Sequence, residues 1–219
     1  SSWRPTLEAP STMQLYFDVF GEGSSQSQLA LEVLVGLGSL RRSLFSSDEE
    51  RQAFLQRMMA GTLRILQTQC GLSDHANYHE LCRLLARLKA NFQLSELVVC
   101  SHYAEWIAMV ATFTVDSFKH WEWASNSVYY LLSLWSRLVA SMPYLKGETP
   151  SHLENYVPQV ITAFIHSRME LVSALLDQGG AHANGIGTNG TNGHGGHEES
   201  GGGAEVDDPL DDDEQLNEQ

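Results

Sequence analysis

The sequence predicts an all-α protein, an α-solenoid of antiparallel helix pairs followed by a disordered C-terminal tail. Three observations carry that expectation. Apolar residues recur at helical spacing along residues 11–178, with no convincing strand alternation or hairpin turn. The breaks are short, and alternate helix starts fall about fifty residues apart, at 26 and 77, 48 and 102, 77 and 126, and 102 and 151. From Gly179 onward the composition changes completely. A period slightly longer than the ~40–47 residues of HEAT and armadillo units is what diverged helical repeats give, and each such repeat buries its apolar stripe by stacking on its neighbours.

Taken in order, a first helix is expected over Ser11–Phe20, ending at GEGSS. A second runs from Gln26 to Phe45. Ser47 with Glu50 three residues on reads as a capping box for a third, which stops at Gly71. Asn77 with Glu80 repeats that signature and opens the stretch YHELCRLLARLKANFQL. There Leu81, Leu84, Leu85, Leu88 and Phe92 share one face, while Arg83, Arg87 and Lys89 lie off it. Ser101 is expected to cap a helix running to Trp121, and Asn126 to start one that Pro143 ends. Ser151 with Glu154 makes a further box. Pro158 fits a first-turn position of the last helix or a kink just inside it. Residues 1–178 are thus read as about three helix pairs.

Residues 179–219 hold 11 of the chain's 18 glycines and few large apolar side chains, so they cannot bury enough surface to offset chain entropy. They carry ten acidic residues and no Lys or Arg. The formal net charge of −14 therefore resides mostly in the tail, and the body is nearly neutral. No strong basic field exists to neutralise phosphates, which argues against nucleic-acid binding by charge. No apolar run approaches the ~18 residues of a membrane span. Cys70, Cys82 and Cys100 form neither a paired framework nor a C-x-x-C, which favours a reducing intracellular setting. SSWRPTLEAP at the start lacks an initiator Met and a leader pattern, so the chain is read as an internal fragment.

Candidate chemistry is sparse. His75 and His79, with Glu80 and Cys82 near by, have a spacing that could place two imidazoles on one helix face, but no second ligand pair appears; capping or solvent-facing histidines are the simpler reading. No Ser/His/Asp or Cys/His set can be assembled, and paired carboxylates occur only in caps and in the tail. The chain is expected to be no enzyme and to hold no cofactor or metal. The aromatics Trp106, Phe113, Trp121, Trp123, Tyr129, Tyr130 and Trp135 read first as core between paired helices and second as a groove for partner side chains.

Four segments carry a resemblance: STMQLYFDVF (Ser11–Phe20), SLRRSLF (Ser39–Phe45), NYHELCRLLARLKANFQLSELV (Asn77–Val98) and NSVYYLLSLWSRLVASMPY (Asn126–Tyr144). They resemble, in the same order, segments of the importin-β superfamily of nuclear transport receptors. The likeness runs from residue 3 to about 178, roughly a fifth of a full receptor. It implies a HEAT-repeat superhelix that shuttles between nucleus and cytoplasm, carrying protein cargo through nuclear pores. It implies GTP-bound Ran and phenylalanine-glycine repeats of the pore as partners, with the Ran-binding repeats upstream, and no catalytic site. Several exportins use an acidic loop to switch between free and Ran-bound states. The compositional match here points to Asp207, Asp208, Asp211, Asp212, Asp213 and Glu214 as partner-binding residues. The alternative is a helical scaffold unconnected with transport.

The leucine-rich basic helix is accordingly read as a repeat helix, its leucines packed and its arginines at a rim or concave face. A zipper would need sustained heptads, which are absent. Calmodulin or membrane binding fits poorly with the small net charge of the segment and its apolar neighbours.

Overall fold

The computed structural model describes residues 3–146 and 149–183, with side chains described through Leu176, and every regular element among them is helical. In order these are α1 (Arg4–Glu8), α2 (Pro10–Gly21), α3 (Ser27–Gly38), α4 (Asp48–Thr68), α5 (His75–Asn91), α6 (Leu94–Val98), α7 (Tyr103–Ser117), α8 (Trp121–Ser141) and α9 (Leu153–Ala183). Short 3-10 turns occupy Arg42–Leu44, Phe118–His120 and Met142–Tyr144. Contacts divide the chain inside α9: residues up to Met169 form one compact unit, and Glu170 onward belongs to a second. The disordered tail is expected from Gly179, and α9 extends to Ala183.

Within the first unit the long helices pack with their next-but-one neighbours. One row is α2, α4 and α7, the other α3, α5 and α8, and the rows meet where α2 packs on α3 and α7 on α8. The apolar stripe read from α5 lies at the centre: Leu81, Leu84, Leu85 and Leu88 are fully buried. Met58 and Leu66 of α4, Trp106 and Val110 of α7, and Leu131 and Leu138 of α8 are equally inaccessible. Facing stripes at i, i+3, i+4 and i+7 are what a stack of helices needs to exclude water from both sides of each member.

Several expected boundaries shift, each for a local reason. α3 ends at Gly38 rather than Phe45. The side-chain amide of Asn91, at the end of α5, donates to the carbonyls of Gly38 (3.0 Å) and Leu40 (2.8 Å), taking acceptors that further helix would have used. α4 starts as expected, with Ser47 Oγ accepting from the Glu50 N–H (3.3 Å). It ends at Thr68, where Gln69 turns into the left-handed region (φ 54°) and Gly71 follows at φ +74°.

The α5 cap is Asp74, not Asn77: its carboxylate accepts from Ala76 N (2.8 Å) and Asn77 N (3.1 Å), which brings His75 into the helix. Ser101 does not cap α7: His102 holds the N-cap position, and Ser101 Oγ instead accepts from Gln56 Nε2 (2.5 Å). α8 begins at Trp121, so Asn126 lies inside it. No Gly or Pro separates α7 from α8, and the chain turns through a single 3-10 segment. Pro158 sits inside α9, behind the Ser151–Glu154 pair, whose side chains bond at 3.1 Å.

Candidate interaction surfaces

A cleft of about 520 Å³ opens between α2 and α4. Two helical faces make it. Met13, Phe17 and Phe20 recur at i, i+4 and i+7 on α2. Arg57, Gly61 and Arg64 recur at the same spacing on α4, with Ile65 beside them. Phe17 lies against Gly61 so closely that a Cβ there would fall within the ring's own envelope, so the helix needs glycine at this crossing. Met13 and Phe20 are buried floor. Arg57 donates from Nη2 to the Glu8 carbonyl (3.2 Å), and its buried Nε has no partner. Arg64 is exposed, and neither arginine pairs with a carboxylate among the described residues.

A second surface lies where α8 meets α5. The rings of His75 and Trp123 stack at 3.8 Å and 5°, and His120 lies 5.4 Å from the same indole. Trp123 and Tyr129 stay exposed, whereas Trp106, Phe113 and Trp135 are buried, so only part of the aromatic set is core. The two histidines of the possible ligand pair do not converge. His75 is committed to Trp123, and His79 sets Nδ1 3.1 Å from Ser127 Oγ with its ring edge-on to Tyr130. Burial holds the His79 imidazole below its ordinary pKa. No group of three or more His, Cys, Asp or Glu that could hold a metal occurs among the described residues.

The basic residues of α5 are not all at the rim. Arg83 donates to both oxygens of Glu80 at 2.8 and 2.9 Å, and Arg87 is half-buried. Lys89 is buried. Burial, then repulsion from Arg137, lowers its pKa, and Glu96 opposes both. Glu96 also holds Arg51, Oε1 to Nε at 2.9 Å. The Arg51 guanidinium lies 4.0 Å from the Phe92 ring centroid and donates to Asn91 O (2.6 Å). Neither Arg51 nor the arginine–glycine–arginine face of α4 was singled out from the sequence. The one available signal was a glycine, Gly61, inside an otherwise strong helical pattern.

The acidic candidates Asp207, Asp208, Asp211, Asp212, Asp213 and Glu214 lie outside the described residues. No helix among the described residues is long and apolar enough to cross a membrane.

The chain is 50% identical over 180 residues to Exportin-7-A of Xenopus laevis, a match that takes in 82% of this chain and 16% of that protein. It is 47% identical over 177 residues to Ran-binding protein 17 of Homo sapiens, and 45% over 177 to Ran-binding protein 16 of Drosophila melanogaster. Each of those two matches takes in 80% of this chain and 16% of the relative. This stretch of chain is similar to one segment of proteins named as exportin-7 and as Ran-binding proteins. It spans about a sixth of the length of these exportin-7 relatives. No family model matches the chain, and no solved structure matches it.

Proposed function

We propose that the chain is a segment of a nuclear transport receptor that carries protein cargo through nuclear pores under the control of GTP-bound Ran. The observation that carries this reading is the 45–50% identity, over four-fifths of the chain, to proteins named as exportins and Ran-binding proteins. The layout of the first unit supports a HEAT-type solenoid, because each row of helices stacks next-but-one elements on one another. Such a frame works by surface complementarity, and the relatives are named for transport and Ran binding rather than for a catalytic step. Its location would be shuttling, in nucleus and cytoplasm, with phenylalanine-glycine repeats of the pore among its contacts. Residues 1–178 would supply the repeat helices and 179–219 a linker bearing the acidic segment. Asp207, Asp208, Asp211, Asp212, Asp213 and Glu214 would screen a basic surface on Ran or cargo.

The test is binding of the receptor that contains this chain to Ran loaded with GTP or GDP. Preference for the GTP form is expected. Indifference to the nucleotide removes the transport reading and leaves a scaffold. Replacing the six acidic residues by Asn or Gln should alter Ran or cargo affinity at low salt and not at high salt. Equal affinities at both salt levels reduce the segment to a linker.

A further inference from the structure

The cleft between α2 and α4 points to a ligand of definite chemistry, and we infer that it receives an apolar side chain of a partner peptide flanked by carboxylates. The floor is Met13, Phe17, Phe20 and Ile65, which offers nothing for a polar group to bond. The rim carries Arg57 and Arg64, one turn on either side of Gly61. Two guanidinium groups on one face without a carboxylate partner among the described residues are an uncompensated positive feature. Guanidinium forks recognise carboxylates in a planar, directional way, so they would fix a peptide's register while the apolar side chain fills the slot.

Competing occupants fit less well. A nucleic acid would find only two arginines in the cleft to neutralise its phosphates, and the affinity of such binding grows with the number neutralised. An uncharged phenylalanine-rich peptide would fill the floor and leave both arginines unused. The volume of about 520 Å³ lies within the roughly 300–1,000 Å³ of small ligand clefts, enough for one or two side chains and not for a helix. This inference does not rest on the transport reading, because it concerns only the ligand chemistry of one cleft.

The probe is a fluorescein-labelled twelve-residue peptide with a central Phe-Leu pair and two aspartates on each side. Its binding to the full 219-residue chain is followed by fluorescence anisotropy. Three comparisons run beside it: the same peptide with asparagines for aspartates, an uncharged Phe-Gly repeat peptide, and the Arg64→Gln and Gly61→Ala variants. Saturable binding of the acidic peptide is expected. Loss of the aspartates or of Arg64, which is exposed and leaves the core intact, should each weaken it by about three- to five-fold, the scale of exposed ion pairs. Raising NaCl from about 0.05 to 0.5 M should erase most of that difference. Gly61→Ala, by displacing the Phe17 ring, should lower the affinity for every peptide at unchanged far-ultraviolet circular dichroism. Absence of binding overturns the proposal. So does equal affinity for the aspartate and asparagine peptides, an uncharged Phe-Gly peptide that binds as tightly as the acidic one, or an Arg64→Gln chain that behaves as wild type.

Discussion

The indole N–H of Trp106 on α7 donates to Thr62 Oγ1 on α4 at 3.0 Å, and neither residue is exposed to solvent. The threonine hydroxyl in turn donates to the Met58 carbonyl at 3.0 Å, so the pair leaves no buried polar atom unsatisfied. Trp135 of α8 repeats the device on Thr114 of α7 at 2.9 Å, with Thr114 donating to Val110 O at 2.8 Å. Large aromatics thus supply the area buried between helices, and a threonine on the facing helix takes the one polar group each tryptophan carries.

Thr62→Val keeps the shape and removes the acceptor, stranding the Trp106 N–H. We expect a loss of about 1–3 kcal/mol in urea unfolding of the chain. Trp106→Phe added to Thr62→Val should cost less than the sum of the two single changes, since the stranded donor is gone. Strict additivity in that double-mutant cycle would show that the bond contributes nothing to the packing of α4 on α7.

The facial assignment of α5 has its own test. Leu85 is fully buried and Arg87 is half-buried. Leu85→Ala should cost about 2–5 kcal/mol, and Arg87→Ala less than about 1 kcal/mol. Equal melting shifts would contradict the assignment.

How much of this was legible follows from where the controlling atoms lie. The leucines of α5 were readable because burial of one face imposes a period on a single segment. The Ser47 cap was readable because its acceptor and donor sit three residues apart. Asp74 and Asn77 are both capping residue types, and only the backbone shows which side chain meets the N–H groups. The end of α3 depends on Asn91, more than fifty residues away, and no local pattern encodes that contact. Lys89 lies off the leucine face, yet α8 packs on α5 too, so its burial follows from a second neighbour rather than from the helix itself. The α2–α4 cleft needed both helices in place, and Gly61 alone marked it.

His79 gives the stability a pH dependence of defined sign. Burial lowers its pKa from the ordinary 6.5; Glu80 on the same helix raises it and Arg83 lowers it, while Ser127 and Tyr130 face it from α8. The unfolded chain then binds the proton more readily than the folded one. Stability is full above about pH 6.5 and falls as the pH drops towards the depressed folded pKa. The melting temperature should therefore fall between about pH 7.5 and 5, and His79→Gln should show a smaller fall. An identical fall in the variant would assign the effect to other groups.

Glu96 is placed to serve two buried cations, and its removal should cost more than removal of either charge it offsets. Its Oε1 holds Arg51, whose side chain is 5% exposed, while Oε2 accepts the Gln93 N–H at 2.8 Å as the α6 cap. Lys89 gains from the same carboxylate and is opposed by Arg137. Glu96→Gln preserves the shape and takes the compensating negative charge from both cations, so it should destabilise the chain by about 2–4 kcal/mol. Lys89→Met removes a buried ammonium that is poorly compensated and keeps its aliphatic stem, so the change should stay within about 1 kcal/mol, with stabilisation the expected direction. In the Lys89→Met background, Glu96→Gln should then cost less than it does alone, because one of the two charges that Glu96 offsets is absent. Urea unfolding of the four chains measures this coupling. An unchanged cost of Glu96→Gln in the two backgrounds would mean that the carboxylate serves Arg51 and the α6 cap and has no hold on Lys89.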